Sequence, residues 1–280
     1  MSQGARRGAV VTGAGRGLGK EIARLLVSRG YDVLVTDVDE SAARVSAEEV
    51  GAAGWRVVDV RDEAQVLAAR DAALSRAGRI DVWVNNAGVL FTGPAWEQDE
   101  ALRRLMIEVN AIGTMNGTLA AISAMRDAGD GTGHIVNIVS LAGLTAVPGE
   151  AVYAASKHAA IGFSLSTLTD LRLAGIDGID ISCICPDGIW TPMLHDKLDD
   201  PQSALSFSGK LLQPEEVVAA VGQVLDRPRP VTTIPKWRGG LVRFGDTFPR
   251  AALRLAPSIF EQGRKAQRRF LERGVPGDPS

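Results

Sequence analysis

Tyr153 and Lys157 stand four residues apart in a stretch of helical length, so their side chains share one helix face. A phenol with an ordinary pKa of about 10 is a poor base at neutral pH, and an adjacent ammonium group favours its ionised form. Ser140 lies at the predicted C-terminal end of a strand, where its hydroxyl can hydrogen-bond the same oxygen that the phenol serves. Taken singly, each of the three is more often structural or solvated. Together they meet the geometric needs of a site that exchanges a proton with an alcohol or carbonyl oxygen.

A second constellation lies near the N-terminus. The segment Thr12–Gly13–Ala14–Gly15–Arg16–Gly17–Leu18–Gly19 follows a predicted strand and opens a predicted helix. Its glycines permit a tight turn and close approach of the backbone to a pyrophosphate, and the helix N-terminus offers unpaired N–H groups at its positive end. Asp37, at the end of the second predicted strand, can accept hydrogen bonds from the adenosine ribose of NAD and would repel the extra phosphate of NADP. NAD is therefore the expected cofactor. Arg16, inside the turn, is the opposing feature because its guanidinium could reach a 2′-phosphate, and Asp37 can also be read as a plain turn residue beside Asp39.

The elements that must position these groups follow from hydrophobic patterning. Short β-branched runs predict strands at Ala9–Thr12, Asp32–Thr36, Trp55–Val58, Val82–Asn85, His134–Val139, Asp180–Ile184 and Val231–Ile234. Between the first six lie helix-length segments at Gly17–Ser28, Ser41–Val50, Glu63–Ala77, Asp99–Met125 and Ala151–Ala174, and a further helix starts near Pro214. This alternation predicts an α/β chain: a doubly wound, Rossmann-type three-layer sandwich around a seven-stranded parallel sheet. Residues 1–236 form the expected Rossmann-type domain, with a substrate loop at about 189–213, and 237–280 form a basic helical extension. In open α/β sheets ligands lie beyond the C-terminal strand edges. Leu90, Phe91, Leu141, Leu144, Val147, Trp190, Met193 and Leu194 are thus the expected pocket wall.

With these motifs in order, the chain resembles the short-chain dehydrogenase/reductase family from residue 8 to about 235. The motifs are the glycine turn, Asp59–Val60, Asn85–Asn86–Ala87–Gly88, Asn110, Ser140, Tyr153-x-x-x-Lys157 and Pro186–Asp187–Gly188–Ile189–Trp190–Thr191. The resemblance implies hydride transfer between NAD(H) and a secondary alcohol or its ketone. It implies that Lys157 also holds the nicotinamide ribose and that Asn110 interrupts its helix to hold a water linked to Lys157. It further implies that Asp59 and Val60 contact adenine, and that Asn86, Ala87 and Gly88 line that side and stabilise the sheet. Pro186, Gly188, Ile189 and Thr191 would surround the carboxamide. Asp187 departs from the pattern, since the family usually has glycine there. It reads either as a tolerated turn variant or as a residue that tunes the pocket. Such enzymes are dimers or tetramers built through helices corresponding to 99–125 and 151–174.

Composition narrows the alternatives. A chain of 280 residues with 45% apolar and 23% charged residues buries a full core. Two cysteines, Cys183 and Cys185, give neither a disulfide framework nor a zinc ligand set; core packing, no metal and a cytoplasmic setting are expected. Arg6 and Arg7 precede no long apolar run, which argues against a signal peptide. Residues 228–280 carry eleven Lys/Arg against four Asp/Glu, whereas the preceding residues are acidic overall. That tail reads either as a solvated helix packing on the acidic body or as a membrane-surface contact; no nucleic acid is expected. Three functional readings stand: an enzyme on an apolar alcohol or ketone (a steroid, terpenoid or fatty-chain compound), a non-catalytic nucleotide-sensing protein of the same fold, and a peripheral membrane protein acting through its tail.

Overall fold

The computed structural model describes residues 7–127 and 130–273; Arg6 and the tail residues 274–280 lie outside the described residues. Seven strands form one parallel sheet: β1 (Arg7–Val11), β2 (Tyr31–Asp37), β3 (Gly54–Val57), β4 (Val82–Asn85), β5 (Gly133–Ile138), β6 (Ile179–Pro186) and β7 (Val231–Ile234). Their order in space, β3-β2-β1-β4-β5-β6-β7, makes the fold doubly wound, as the alternation of strand and helix segments predicts.

Alternation along each strand sends neighbouring side chains to opposite faces. Val11, Val33, Val35, Val84 and Ile138 join α1 (Gly17–Ser28), α2 (Glu40–Val50) and the later helix α8 (Pro214–Asp226) in one core. Val10, Leu34, Trp83, Ile135 and Ile181 join α3 (Glu63–Ala77), α5 (Gly113–Asp127) and α6 (Ala151–Leu173) in the other. Both faces are covered, which explains why the strands read as nearly continuous apolar runs. Cys183 and Cys185 pack with Val139, Leu141 and Ile161 beside this core, as free thiols.

The helix predicted over Asp99–Met125 is interrupted. α4 (Glu100–Ile107) passes into a π-helical turn, Glu108–Ile112, before α5 begins. The turn carries Asn110, and the small residues after it explain the close packing that follows. A Cβ on Gly113 would come within 2.5 Å of Val60 Cγ2, and one on Gly117 within 1.9 Å of Asn85 Oδ1. Asn85 lies at the centre of a buried polar network. It donates to Thr118 Oγ1 (3.1 Å) and Asn137 Oδ1 (2.8 Å) and accepts from Trp83 Nε1 (2.9 Å), tying β4 and β5 to α5.

After β6, the chain forms the short α7 (Pro192–His195) and a 3-10 turn, Pro201–Phe207, before α8 and β7. Two further helices, α9 (Lys236–Thr247) and α10 (Pro249–Arg273), lie outside the βα alternation. The strand order reverses between β1 and β4.

Candidate active site

At that reversal the glycine turn lies against the end of β4. Gly13 has φ +59° and Gly17 φ +56°, left-handed values that favour glycine. A Cβ on Gly13 would sit 2.6 Å from Ala87 Cα, and one on Gly19 2.4 Å from Asn86 Nδ2. Asn86 closes the turn by donating to Gly13 O (2.8 Å) and Thr12 O (3.1 Å), and Ala87 N donates to Thr12 Oγ1 (3.2 Å). The first turn of α1 contains no acidic residue, and Arg16 at its N-cap makes no side-chain cap. Its N–H groups therefore face the cavity without a protein anion, which suits a pyrophosphate.

Asp37 is half-buried and holds the turn as well as facing the cavity. Its Oδ2 accepts from Gly15 N (2.9 Å) and its Oδ1 from Asp39 N (3.1 Å), so the carboxylate is fixed in place. Arg16 is exposed on the same rim. Asp59 also borders the cavity, but its carboxylate is engaged by Arg61 (Nη2 to Oδ2, 2.6 Å), which holds it below the usual carboxylate range. Val60 is buried beneath the same wall, where Asn116 Nδ2 donates to its carbonyl at 2.9 Å.

The trio singled out in the sequence converges from two elements. Ser140 follows β5, caps the turn Leu141–Gly143 by accepting from Ala142 N (3.1 Å), and hydrogen-bonds Tyr153 on α6. Lys157 is buried one turn later, with its ammonium 5.6 Å from the Tyr153 ring centre. Its Nζ donates to Ile138 O at 3.1 Å, and burial lowers its pKa to about 8. The phenol of Tyr153 is raised above its ordinary value, first by burial and then by Glu150, against a hydrogen bond with Ser140. The Lys157 ammonium, expected from the sequence to favour the phenolate, lies beside the ring and is hydrogen-bonded to the last carbonyl of β5.

Asn110 is fully buried at the π turn. Its side chain accepts from Val89 N (2.8 Å) and donates to Val89 O (2.9 Å) and Ser156 Oγ (3.0 Å), fixing the segment after Gly88 to α6. A Cβ on Gly88 would lie 3.2 Å from Asn110 Oδ1 and 3.7 Å from Lys157 Nζ, so the backbone passes close to both. At the end of β6 and just after it, Pro186, Gly188, Ile189 and Thr191 line the cavity, held by Leu212 N donating to Gly188 O (2.8 Å).

The predicted site residues other than Gly15 and Asn110, which lie behind the wall, border one cavity of about 950 Å³. Leu90, Phe91, Leu141, Val147, Met193 and Leu194 contribute to its wall as predicted, but Leu144 and Trp190 do not. Trp190 instead packs with Leu194 and Phe207 and against the His195 ring (3.9 Å between centres), while Leu144 packs onto the Cys183–Cys185 cluster. His134 is buried, within 2.9 Å of Ser182 Oγ, and burial lowers its pKa to about 4.

Two acidic residues and one arginine were not foreseen as partners. Glu150, three residues before Tyr153, is buried in the cavity wall and accepts from Ser206 Oγ (2.7 Å); burial raises its pKa to about 7. Its position one helical turn from Tyr153 was a readable signal. Asp187, at the atypical glycine position, pairs with Arg238 of α9, 2.9 Å from Nε to Oδ2. The Nε hydrogen is not aimed at that oxygen, so the attraction is Coulombic; the arginine is held in place by Nη2 donating to Ser208 Oγ at 2.6 Å. No local pattern could reveal this pair, because its partners lie on different elements.

The short chain dehydrogenase family profile matches residues 7–202. The chain is 36% identical to oxidoreductase UcpA of Salmonella typhimurium over 73% of its own length and 79% of that protein. It is 34% identical to cyclopentanol dehydrogenase of a Comamonas species, over 76% of this chain and 86% of the relative. Among solved structures, an actinorhodin polyketide ketoreductase variant with NADPH superposes with a TM-score of 0.73 at 31% identity, covering 84% of this chain and 97% of the other.

Proposed function

The chain belongs to the short-chain dehydrogenase family, and on that premise we propose that it interconverts an apolar secondary alcohol and its ketone with NAD(H). The observation that carries this reading is the single cavity, which runs from the uncapped N-terminus of α1 to Ser140, Tyr153 and Lys157 and continues between apolar walls. The glycine turn would hold the pyrophosphate, Asp37 the adenosine ribose, Asp59, Val60 and Asn86–Gly88 the adenine side, and Lys157 the second ribose. Pro186, Gly188, Ile189 and Thr191 would hold the carboxamide. When bound there, the nicotinamide supplies or accepts the hydride.

The chain's own residues handle the proton. In ketone reduction Tyr153 delivers its phenolic proton to the substrate oxygen while Ser140 hydrogen-bonds that oxygen; in alcohol oxidation the same groups act in reverse. Lys157 contributes a buried positive charge below a pH of about 8, fixed by the Ile138 carbonyl. Leu90, Phe91, Leu141 and Val147 exclude water from the reacting atoms and favour a substrate with little polar surface.

Asp37 favours NAD; exposed Arg16 and the NADPH carried by the ketoreductase neighbour are the counterweights. Fluorescence titration with NADH and NADPH, followed by a panel of apolar secondary alcohols and ketones read at the nicotinamide absorbance, tests the proposal. Tighter NADH binding with turnover supports it. Tighter NADPH binding overturns the cofactor choice, and binding with no turnover across the panel favours a nucleotide-sensing protein. The exposed apolar side chains Leu102, Ile112 and Leu119 on α4, the π turn and α5 suit burial against a second copy, supporting a homo-oligomer.

A further inference from the structure

The two C-terminal helices lie outside the residues matched by the family profile, yet they complete the cavity. They are fixed to the body at both ends. α9 is held by the Asp187–Arg238 pair and packs so closely on β7 that a Cβ on Gly239 would lie 2.1 Å from Thr233 Oγ1. α10 is held against the loop after α7: Gln267 Nε2 donates to Asp200 O (2.7 Å), Lys197 O (3.2 Å) and Ser203 Oγ (3.0 Å). Phe270 stacks near Phe207, 6.1 Å between centres, and a Cβ on Gly263 would touch Ala204 O at 2.2 Å.

Between these anchors the chain spans the mouth of the cavity. Leu241, Phe244, Phe248 and Leu255 line the cavity and are also more than half exposed, so its outer rim is apolar. Leu253 extends the apolar surface outward at 70% exposure, and Arg243, Arg250 and Arg254 are exposed on the same two helices. Residues 236–273 hold ten Lys/Arg against three Asp/Glu. Contiguous exposed apolar groups on an anchored segment mark an interaction surface, and basic residues around them select its partner.

We propose that the α9–α10 arch docks on an anionic phospholipid bilayer, with the mouth of the cavity facing the lipid. A second copy of the chain is the weaker occupant. A two-fold contact would press this cationic face against itself, whereas an anionic bilayer attracts it. Docking would let an apolar substrate pass from lipid to cavity without crossing a polar rim. That use rests on the dehydrogenase reading; the docking itself does not.

The test is sedimentation of the full chain with vesicles of phosphatidylcholine alone and of phosphatidylcholine mixed with phosphatidylglycerol, across a salt series. Sedimentation with the mixed vesicles only, lost at high salt, is expected. Each cation near such a surface contributes about fivefold, so Arg250→Ala with Arg254→Ala weakens binding about 25-fold. Leu253→Asp weakens it too, and none of the three residues lines the cavity. Failure to sediment with the mixed vesicles, equal sedimentation with both kinds, or indifference to these substitutions overturns the proposal. So does a change in sedimentation-velocity mass caused by Leu253→Asp without an effect on vesicle binding, which assigns the face to a second copy. Since pelleting needs no turnover, an inactive protein that still pellets removes the dehydrogenase reading alone.

Discussion

Removing Arg238 isolates the pair that joins α9 to Asp187 at the end of β6. Its partner Asp187 has a side chain only 9% exposed, and burial already raises that carboxyl's pKa while Arg238 lowers it. Arg238→Ala leaves a choice between a buried unpaired charge and a protonated acid. Taking a proton at pH 7 against an ordinary aspartate pKa of about 3.9 costs at most about 4 kcal/mol, and removal of one partner of a buried pair typically costs 3–5 kcal/mol. A loss of about 3 kcal/mol at pH 7 is expected, roughly a 6 °C fall in melting temperature for a chain of this size. Because the folded-state pKa is raised, the penalty is absent below the unfolded pKa and grows as pH rises toward the folded value. At pH 5 it falls to about 1.5 kcal/mol. Urea denaturation of the variant at both pH values measures this, and adding Asp187→Asn should restore most of the stability. A deficit equal at both pH values, or no recovery with Asp187→Asn, would refute the reasoning.

Glu150 gives a second pH dependence of the same sign: its folded pKa is raised to about 7 by burial, so its contribution is complete below about pH 4.5 and lost as pH rises through 7. Denaturation midpoints of Glu150→Gln should lack this decline, which is on the order of 3 kcal/mol. In the pH–rate profile the same variant should shift the Tyr153 limb to lower pH, since a negative charge that raises the phenol is gone. Gly13→Ala forces a left-handed backbone on a residue with a Cβ and sets that Cβ 2.6 Å from Ala87 Cα. It should cost about 1–3 kcal/mol of stability by thermal denaturation and reduce NADH affinity at least tenfold by fluorescence titration.

The sheet was legible because its central strands are β-branched runs buried on both faces, and the predicted Val82–Asn85 and Val231–Ile234 agree with β4 and the half-buried β7. The site motifs were legible because they lie at strand ends and on one helix turn, where spacing fixes direction. The break at Asn110 was implied by the family resemblance but not by the hydrophobic pattern, which runs on through it with no proline to mark a boundary. Leu144 and Trp190 were misplaced because closeness to a strand edge does not say which way a side chain turns. The largest gap is the C-terminal segment. Its basic, amphipathic character was readable, but its place over the cavity depends on Arg238 finding Asp187 and Gln267 finding the loop carbonyls of Lys197 and Asp200, contacts between elements far apart in the chain.

The most direct measurement is nucleotide affinity and alcohol turnover of Tyr153→Phe beside the parent chain. The phenyl ring keeps the packing and removes the one proton that the proposed mechanism exchanges. An unchanged NADH dissociation constant with turnover reduced by about 10²–10⁴ is predicted. Turnover that survives the substitution would contradict proton transfer by Tyr153 and with it the chemistry assigned to the cavity.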